Sequence, residues 1–584
     1  MKDFLKFTFA TVTGIILSGI VLFFIGILVL FSMVASSESE TTVKENSIMF
    51  LDLNGTLVER NEDTNPFSEF LGDDFTNYGL DDILASIKKA KENKDIKGIY
   101  IQATYLGASF ASLEEIRNAL NDFKESGKFI VAYGDNYTQG LYYLSCIADK
   151  VILNPQGAIE WKGLSTQPMF FKDLLQKIGI EMQVFKVGTY KSAVEPFIST
   201  EMSAANREQV TAFLNSIWGK VVSDVSASRN LSADTLNAIA DRMMMFRPAM
   251  ESVTCGLADT LLYKDGVRNY LKQLTNVDKD DKLNTLDLDM MINIKKDVPK
   301  DKSGNILAVY YASGEIDNMK GDGIVSPEVI KDLRGLREDE NVKAVVLRVN
   351  SPGGSAFGSE QIWNEVMLLK KEKPVIVSMG DYAASGGYYI SCAADYIVAQ
   401  PTTLTGSIGI FGMMPNVKGL TDKLGLDFDV VKTNKYSDLG ALGRGLNDDE
   451  KSFIQLNVNN GYKLFTSRCA EGRKMPVDSI ERIAEGRVWT GETALTIGLV
   501  DELGGIDKAL DVAAKKAGIE NYTVTAYPAK KDFLTSLMDK KASGYIETKL
   551  QADFGEYYKG FSLIKNLEKV DLIQARLPFE LNIK

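Results

Sequence analysis

The chain has 584 residues, 45% hydrophobic and 25% charged, with a formal net charge of −12 and no histidine. That length excludes a single core and points to roughly three or four domains or a duplicated unit, while the apolar content excludes wholesale disorder. Negative charge spread along the chain argues against a phosphate-tracking surface, so no nucleic-acid partner is expected, and the missing histidine excludes a Ser/His/Asp triad, a Cys/His pair and a histidine-ligated zinc.

The first element is apolar. Phe7 to Ser37 runs for 31 residues without a charge, more than the roughly 20 a helix needs to cross a bilayer. A cleavable signal peptide is the competing reading, with Ala35, Ser36 and Ser37 as small residues for cleavage. The run is longer than the roughly 7–15 residues of a signal h-region, which favours a retained anchor over residues 1–37 in contact with membrane lipid. Lys2 and Lys6 precede the span and Glu38 and Glu40 follow it. The N-terminus is therefore expected on the cytoplasmic side and the body of the chain outside.

The remainder is written twice. A shift of 246 residues aligns Gly134, Asp135, Tyr142, Tyr143, Ser145, Cys146, Ala148 and Asp149 with Gly380, Asp381, Tyr388, Tyr389, Ser391, Cys392, Ala394 and Asp395. Each copy alternates short apolar runs with helical text. In the second, "VKAVVLRVN" reads as a buried strand, "SEQIWNEVMLLKKE" as a helix, "PVIVSMG" as a strand, "GGYYISCAA" as a helix and "YIVAQ" as a strand. That rhythm predicts right-handed crossovers and an α/β fold, with mainly parallel sheets and flanking helices. The expected organisation is a first repeat over 47–275, a polar connector over 276–303, a second repeat over 304–528 and an unassigned tail over 529–584. Cys146, Cys255, Cys392 and Cys469 form no close pair in sequence, and Cys146 and Cys392 lie in apolar helical text, so they read as core residues rather than disulfides.

The copies are most informative where they differ. Ser385 stands opposite Gln139, and Lys191 stands opposite Ser437, so each copy has lost what the other keeps. A serine hydroxyl needs a neighbouring base, and lysine can serve if burial holds its amine neutral. Bringing its pKa from about 10.4 to near 7 disfavours the charged form by roughly 4–5 kcal/mol, so the dyad requires a buried Lys191. Around Ser385, the small neighbours Ala383, Ala384, Gly386 and Gly387 would let a substrate backbone approach; the competing reading of this serine is a helix N-cap. Glu195, in the lysine segment, reads first as a surface carboxylate, with orientation of that segment as the competing role. The turn "VNSPGGSAFGS" supplies Gly354, which with Gly386 is the candidate oxyanion hole; Ala108 replaces Gly354 in the first copy.

Together "SPGGS", "GDYAASGGYYIS", "TGSIGI", "GTYKSAVEPF" and "GRVWTGETALTIGLVD" resemble the long, duplicated form of signal peptide peptidase A. These are membrane-anchored bacterial serine proteases of the Clp protease and crotonase superfamily. The resemblance implies two tandem crotonase-like repeats, a Ser385 nucleophile, a Lys191 general base and Ser407 as a lysine-orienting hydroxyl, with no cofactor and no metal. It also implies a homotetramer on the outer side of the bacterial inner membrane, with sites lining a concave interior, that degrades remnant signal peptides through an acyl-enzyme. The alternatives are a catalytically silent membrane scaffold and an enoyl-CoA hydratase-like lyase, the latter requiring a carboxylate base near the hole.

Overall fold

The computed structural model describes residues 2–37, 40–61, 76–294, 303–317, 319, 323–530 and 573–577. Lys2–Ser37 is one helix, and its Lys6–Gly26 segment, with mean hydropathy 2.3, is long and apolar enough to cross a membrane and is unburied. The tail expected over 529–584 falls largely outside the described residues.

The first copy builds a seven-stranded parallel sheet in the order Thr76–Gly79, Ser47–Val58, Ile96–Gly107, Phe129–Tyr137, Lys150–Ile159, Thr260–Leu261, with Thr285–Leu286 also against Ser47–Val58. The second copy builds an eight-stranded sheet around Ile306–Ser313, Val342–Ser351 and Val375–Ala384, parallel except where Val488–Thr490 runs against Leu404–Gly406. Helices cover these sheets because the central strands are buried on both faces: Val345, Val346, Leu347 and Val349 are all in the core. The duplication carries into the backbone. Helix Phe110–Lys124 matches Ala356–Lys370, and helix Gln139–Ser145 begins at the residue opposite Ser385, directly before helix Gly386–Ser391. All four cysteines are free thiols, with Cys146, Cys392 and Cys469 buried.

Two features depart from the sequence reading. Part of the expected connector is folded onto the first sheet: Thr285–Leu286 pairs with Ile48 and Met49, and Leu286 and Met291 are buried in the first core. Its charges had hidden two apolar residues that have a place to go. The second departure is a third, mixed sheet in the order Ile324–Val325, Ile316–Asp317, Gly353–Ser355, Ile573–Arg576, Phe411–Asn416, Glu181–Lys186. It joins both copies and a segment of the tail. Six residues of the first copy, Glu181–Lys186, run antiparallel to Phe411–Asn416 of the second. That pairing carries the segment after Lys186 across to the second copy.

Candidate active site

Strand Val375–Ala384 ends at Ser385, and helix Gly386–Ser391 begins immediately after it. Ser385 has φ +54° and ψ −113°, an uncommon conformation for a side-chain-bearing residue, held by its N–H donating to the Gly406 carbonyl at 2.8 Å. Although it occupies the N-cap position, its hydroxyl makes no cap hydrogen bond. The following glycines are required by space: a β-carbon at Gly386 would stand 2.7 Å from Ser359 Oγ, and one at Gly387 2.6 Å from the Ser351 carbonyl oxygen.

Lys191 follows strand Glu181–Lys186 in a turn before helix Glu195–Ile198. Its Nζ lies 2.8 Å from Ser385 Oγ, 3.1 Å from Ser407 Oγ and 3.2 Å from the Ser407 carbonyl oxygen. Lys191, Ser385 and Ser407 are each 0% exposed. Burial alone holds the amine well below the ordinary lysine range. Among the described residues, no carboxylate hydrogen-bonds Lys191 or Ser385. The geometry suits a neutral amine: its two N–H bonds can go to the Ser407 carbonyl and hydroxyl oxygens, leaving the lone pair to accept from Ser385.

Gly353 and Gly354 have φ +99° and +156°, and a β-carbon at Gly354 would stand 2.1 Å from the Ile316 carbonyl oxygen. This turn faces the Ser385 turn, since a β-carbon at Gly353 would lie 2.7 Å from the Gly386 nitrogen. The expected residues Ser385, Lys191, Ser407, Gly354 and Gly386 thus converge from two copies. Their counterparts do not. Gln139 uses its side-chain oxygen to accept from the Lys162 and Gly163 N–H groups, and Ser437 is exposed.

Of the supporting residues, Glu195 takes the orienting role rather than the favoured surface one, and Gln209 and Gly486 were missed. Glu195 is not a surface carboxylate: it is 4% exposed and accepts from Ser203 N–H, Ser203 Oγ at 2.6 Å and Asn206 Nδ2 at 2.9 Å, tying the lysine turn to helix Ala204–Arg229. Its apolar neighbours Val194 and Pro196 were the available signal. Gln209, on the same helix, donates to the Tyr190 carbonyl and Ser192 Oγ, both at 3.0 Å. From the second copy, Gly486 presses on Lys191. With φ +77°, its β-carbon would stand 2.6 Å from Lys191 Cβ and 2.7 Å from the Lys191 nitrogen. Gly486→Ala is therefore expected to shift the lysine and lower kcat/KM by about 10²-fold, with KM little changed, in a peptide hydrolysis assay.

A serine on a strand-to-helix turn, facing a buried amine in a duplicated crossover fold, defines the class as serine protease. The model of peptidase family S49 matches residues 122–278 and 367–520, and the chain belongs to that family. A Clp protease model also matches residues 317–403. The chain is 37% identical to Protease 4 of Salmonella typhi over 86% of its own length and 83% of that protein. It is 34% identical to Protease 4 of Haemophilus influenzae, covering 86% and 84%, and 34% identical to the chloroplastic serine protease SPPA of Arabidopsis thaliana, covering 82% and 70%.

Proposed function

We propose that the protein is a membrane-anchored endopeptidase with a Ser385/Lys191 dyad shared between its two repeats. The observation that carries this reading is the 2.8 Å contact between Lys191 Nζ and Ser385 Oγ in a site where, among the described residues, no carboxylate hydrogen-bonds either group. Lys191 takes the Ser385 proton as Oγ attacks the scissile carbonyl. The Gly354 and Gly386 N–H groups receive the developing oxyanion, and Ser407 holds the amine aimed at Oγ. The lysine then protonates the leaving amine, and water, deprotonated by the same lysine, hydrolyses the acyl-enzyme.

The remaining parts of the reading follow from the apolar N-terminal helix and the family resemblance. The apolar N-terminal helix retains the enzyme in the inner membrane with the repeats outside, and remnant signal peptides, extended and apolar, are the substrates. The homotetramer implied by the family resemblance would confine access to such chains. A lyase of the same superfamily needs a carboxylate near the hole, and the absence of one beside Ser385 among the described residues favours the protease.

The test is hydrolysis of an apolar fluorogenic peptide by the detergent-solubilised chain and by its Ser385→Ala and Lys191→Ala variants, matched by circular dichroism. Both variants are expected to lose turnover. An active Lys191→Ala protein places the base elsewhere, and an inert wild type favours the scaffold.

A further inference from the structure

The lysine turn is gripped by one segment of the second repeat. Glu485, Gly486 and Arg487 lead into strand Val488–Thr490, which runs antiparallel to Leu404–Gly406 beside Ser407. The Tyr190 N–H donates to the Glu485 carbonyl at 3.0 Å, and the Ser407 N–H donates to the Arg487 carbonyl at 2.7 Å. Backbone from this segment therefore holds both the residue before Lys191 and the residue whose oxygens receive the Lys191 amine. The Arg487 side chain then closes over the turn. Its guanidinium carbon lies 4.6 Å from the centre of the Tyr190 ring and 4.5 Å from that of Trp489. Its Nη1 donates to the Tyr190 hydroxyl at 3.0 Å, and its Nη2 pairs with Glu208 at 2.9 Å. The Tyr190 hydroxyl in turn donates to the Glu208 carboxylate at 3.2 Å. Only a flat cation can lie between two rings and still present separate donors at its edge, so a lysine would supply the charge without the plane.

The duplication separates what this grip does for the fold from what it does for the site. Laying Gly498 and Leu499 on Gly256 and Leu257 puts Gly486 and Arg487 opposite Met244 and Met245. The backbone agrees, since Glu485 and its counterpart Met243 both have φ +53°. The 26-residue helices Ala204–Arg229 and Asp448–Arg473 match from their caps Ser203 and Asn447 to the left-handed Asn230 and Lys474. That match puts Glu208 opposite Ser452 and Gln209 opposite Phe453, as Lys191 stands opposite Ser437. The side chains that hold the lysine turn are thus absent at the matching positions, which have no lysine to hold. A requirement of the shared fold would show in both copies. Nor is stability the reason, because the Glu208 side chain is 55% exposed and an ion pair at the solvent edge contributes little to folding.

We propose that Arg487 is a positioning residue that clamps Tyr190 so that the Lys191 amine stays aimed at Ser385 Oγ, an inference that rests on the Ser385/Lys191 dyad. Among the described residues, the arginine side chain makes no hydrogen bond to Lys191, Ser385 or Ser407, so it acts through Tyr190. With that ring pinned at its face and its hydroxyl, the adjoining main chain of Lys191 is fixed against the second repeat. Proton transfer from Oγ requires the amine to stay within hydrogen-bond reach, and a displacement of about 1 Å in such a geometry costs on the order of 10²-fold in rate. The clamp reaches the reaction through the base rather than through the peptide, so its loss falls on kcat and leaves KM nearly unchanged.

Steady-state hydrolysis of the fluorogenic peptide by the detergent-solubilised full chain tests this, with Arg487→Ala, Arg487→Lys, Tyr190→Ala and the Arg487→Ala/Tyr190→Ala double variant beside wild type and Lys191→Ala. Circular dichroism and urea midpoints check each fold. Arg487→Ala is expected to lower kcat by about 10–100-fold, with KM within about twofold of wild type and the urea midpoint unchanged. Arg487→Lys, which keeps the charge opposite Glu208 but not the plane, is expected to lose most of the same kcat, and it carries the test if the alanine variant does not fold. The double variant is expected to lose no more than the weaker of its two parents, because both substitutions open one clamp. An unchanged kcat in folded Arg487→Ala, a loss confined to KM, or losses that multiply in the double variant overturn the positioning role, while an inert Lys191→Ala keeps the dyad. Full activity in Arg487→Lys assigns the effect to charge alone and overturns the clamp. An active Lys191→Ala chain overturns the dyad reading and the inference with it.

Discussion

Lys191→Met is expected to abolish measurable peptide hydrolysis, a loss of at least about 10²–10⁴-fold in kcat/KM, while making the folded protein more resistant to acidification than the wild type. The first half follows from the proposed dyad: without the amine, no other group among the described residues is hydrogen-bonded to Ser385 Oγ to take its proton. The second follows from linkage. In the unfolded chain a lysine titrates near about 10.4, whereas burial holds Lys191 well below that in the folded site. Between the two values the unfolded chain binds a proton that the native chain does not, so wild-type stability falls as pH falls. Methionine carries no such term. The difference in unfolding free energy, variant minus wild type, should therefore grow by about 1.4 kcal/mol for each pH unit lowered, and stop growing below the folded-state pKa. Urea melts of both proteins across a pH series below the ordinary lysine value measure this directly. The same titration sets the acid limb of the wild-type kcat/KM profile, with activity rising as the amine loses its proton. A pH-independent stability difference would show that Lys191 keeps its proton in the folded protein and cannot act as the resting base.

The pair proposed to carry the chemistry was legible in the sequence because the chain contains its own comparison. Aligning one copy on the other isolates Ser385 against Gln139 and Lys191 against Ser437, and a chain without histidine leaves few bases to choose from. The crossover units were legible for a related reason: strands such as Val342–Ser351 are buried on both faces and are dominated by apolar residues, with Ala344–Leu347 and Val349 all apolar. The mixed sheet was not, because its strands are short and drawn from segments far apart in the chain. Gly353–Ser355 and Ile573–Arg576 have three and four residues, with no alternation to detect. Their pairing depends on register between segments more than 200 residues apart, which periodicity does not record. The anchoring role of Glu195, second choice on sequence, and the contact of Gly486 were obscured in the same way. A carboxylate that anchors a turn, and a glycine that lets a backbone approach a lysine from the other repeat, are defined by what they touch, and both partners are distant in the chain or unmarked in it.

The register of the two repeats, and with it the dyad, depends on a buried charge cluster centred on Arg348. This side chain, 1% exposed on the central strand of the second sheet, pairs with Glu59 and with Glu115 of the first repeat, both at 2.8 Å. It also donates to Ser378 Oγ at 2.9 Å, and Asn350 donates to Glu59 at 3.0 Å. A buried ion pair adds little beyond a well-packed apolar replacement of the whole group, but removing one partner leaves uncompensated charge and costs about 3–5 kcal/mol. Arg348→Met is expected to destabilise the protein by that amount in urea unfolding at neutral pH. Since Glu59 and Glu115 sit on the repeat that supplies Lys191, the folded fraction should also show a lower kcat. The pH dependence separates this mechanism from simple loss of packing. Burial already pushes the Glu59 carboxyl above its ordinary value, with Arg348 opposing the shift. Without the guanidinium, the folded chain binds a proton at Glu59 more tightly than the unfolded chain does, so acidification stabilises the variant relative to the wild type. The deficit should therefore narrow as pH falls toward the carboxyl range, and adding Glu59→Gln and Glu115→Gln to Arg348→Met should recover most of it at neutral pH. A deficit that is flat with pH and unrelieved by the two glutamines would mean that Arg348 serves the fold through its packing, with its charge a bystander.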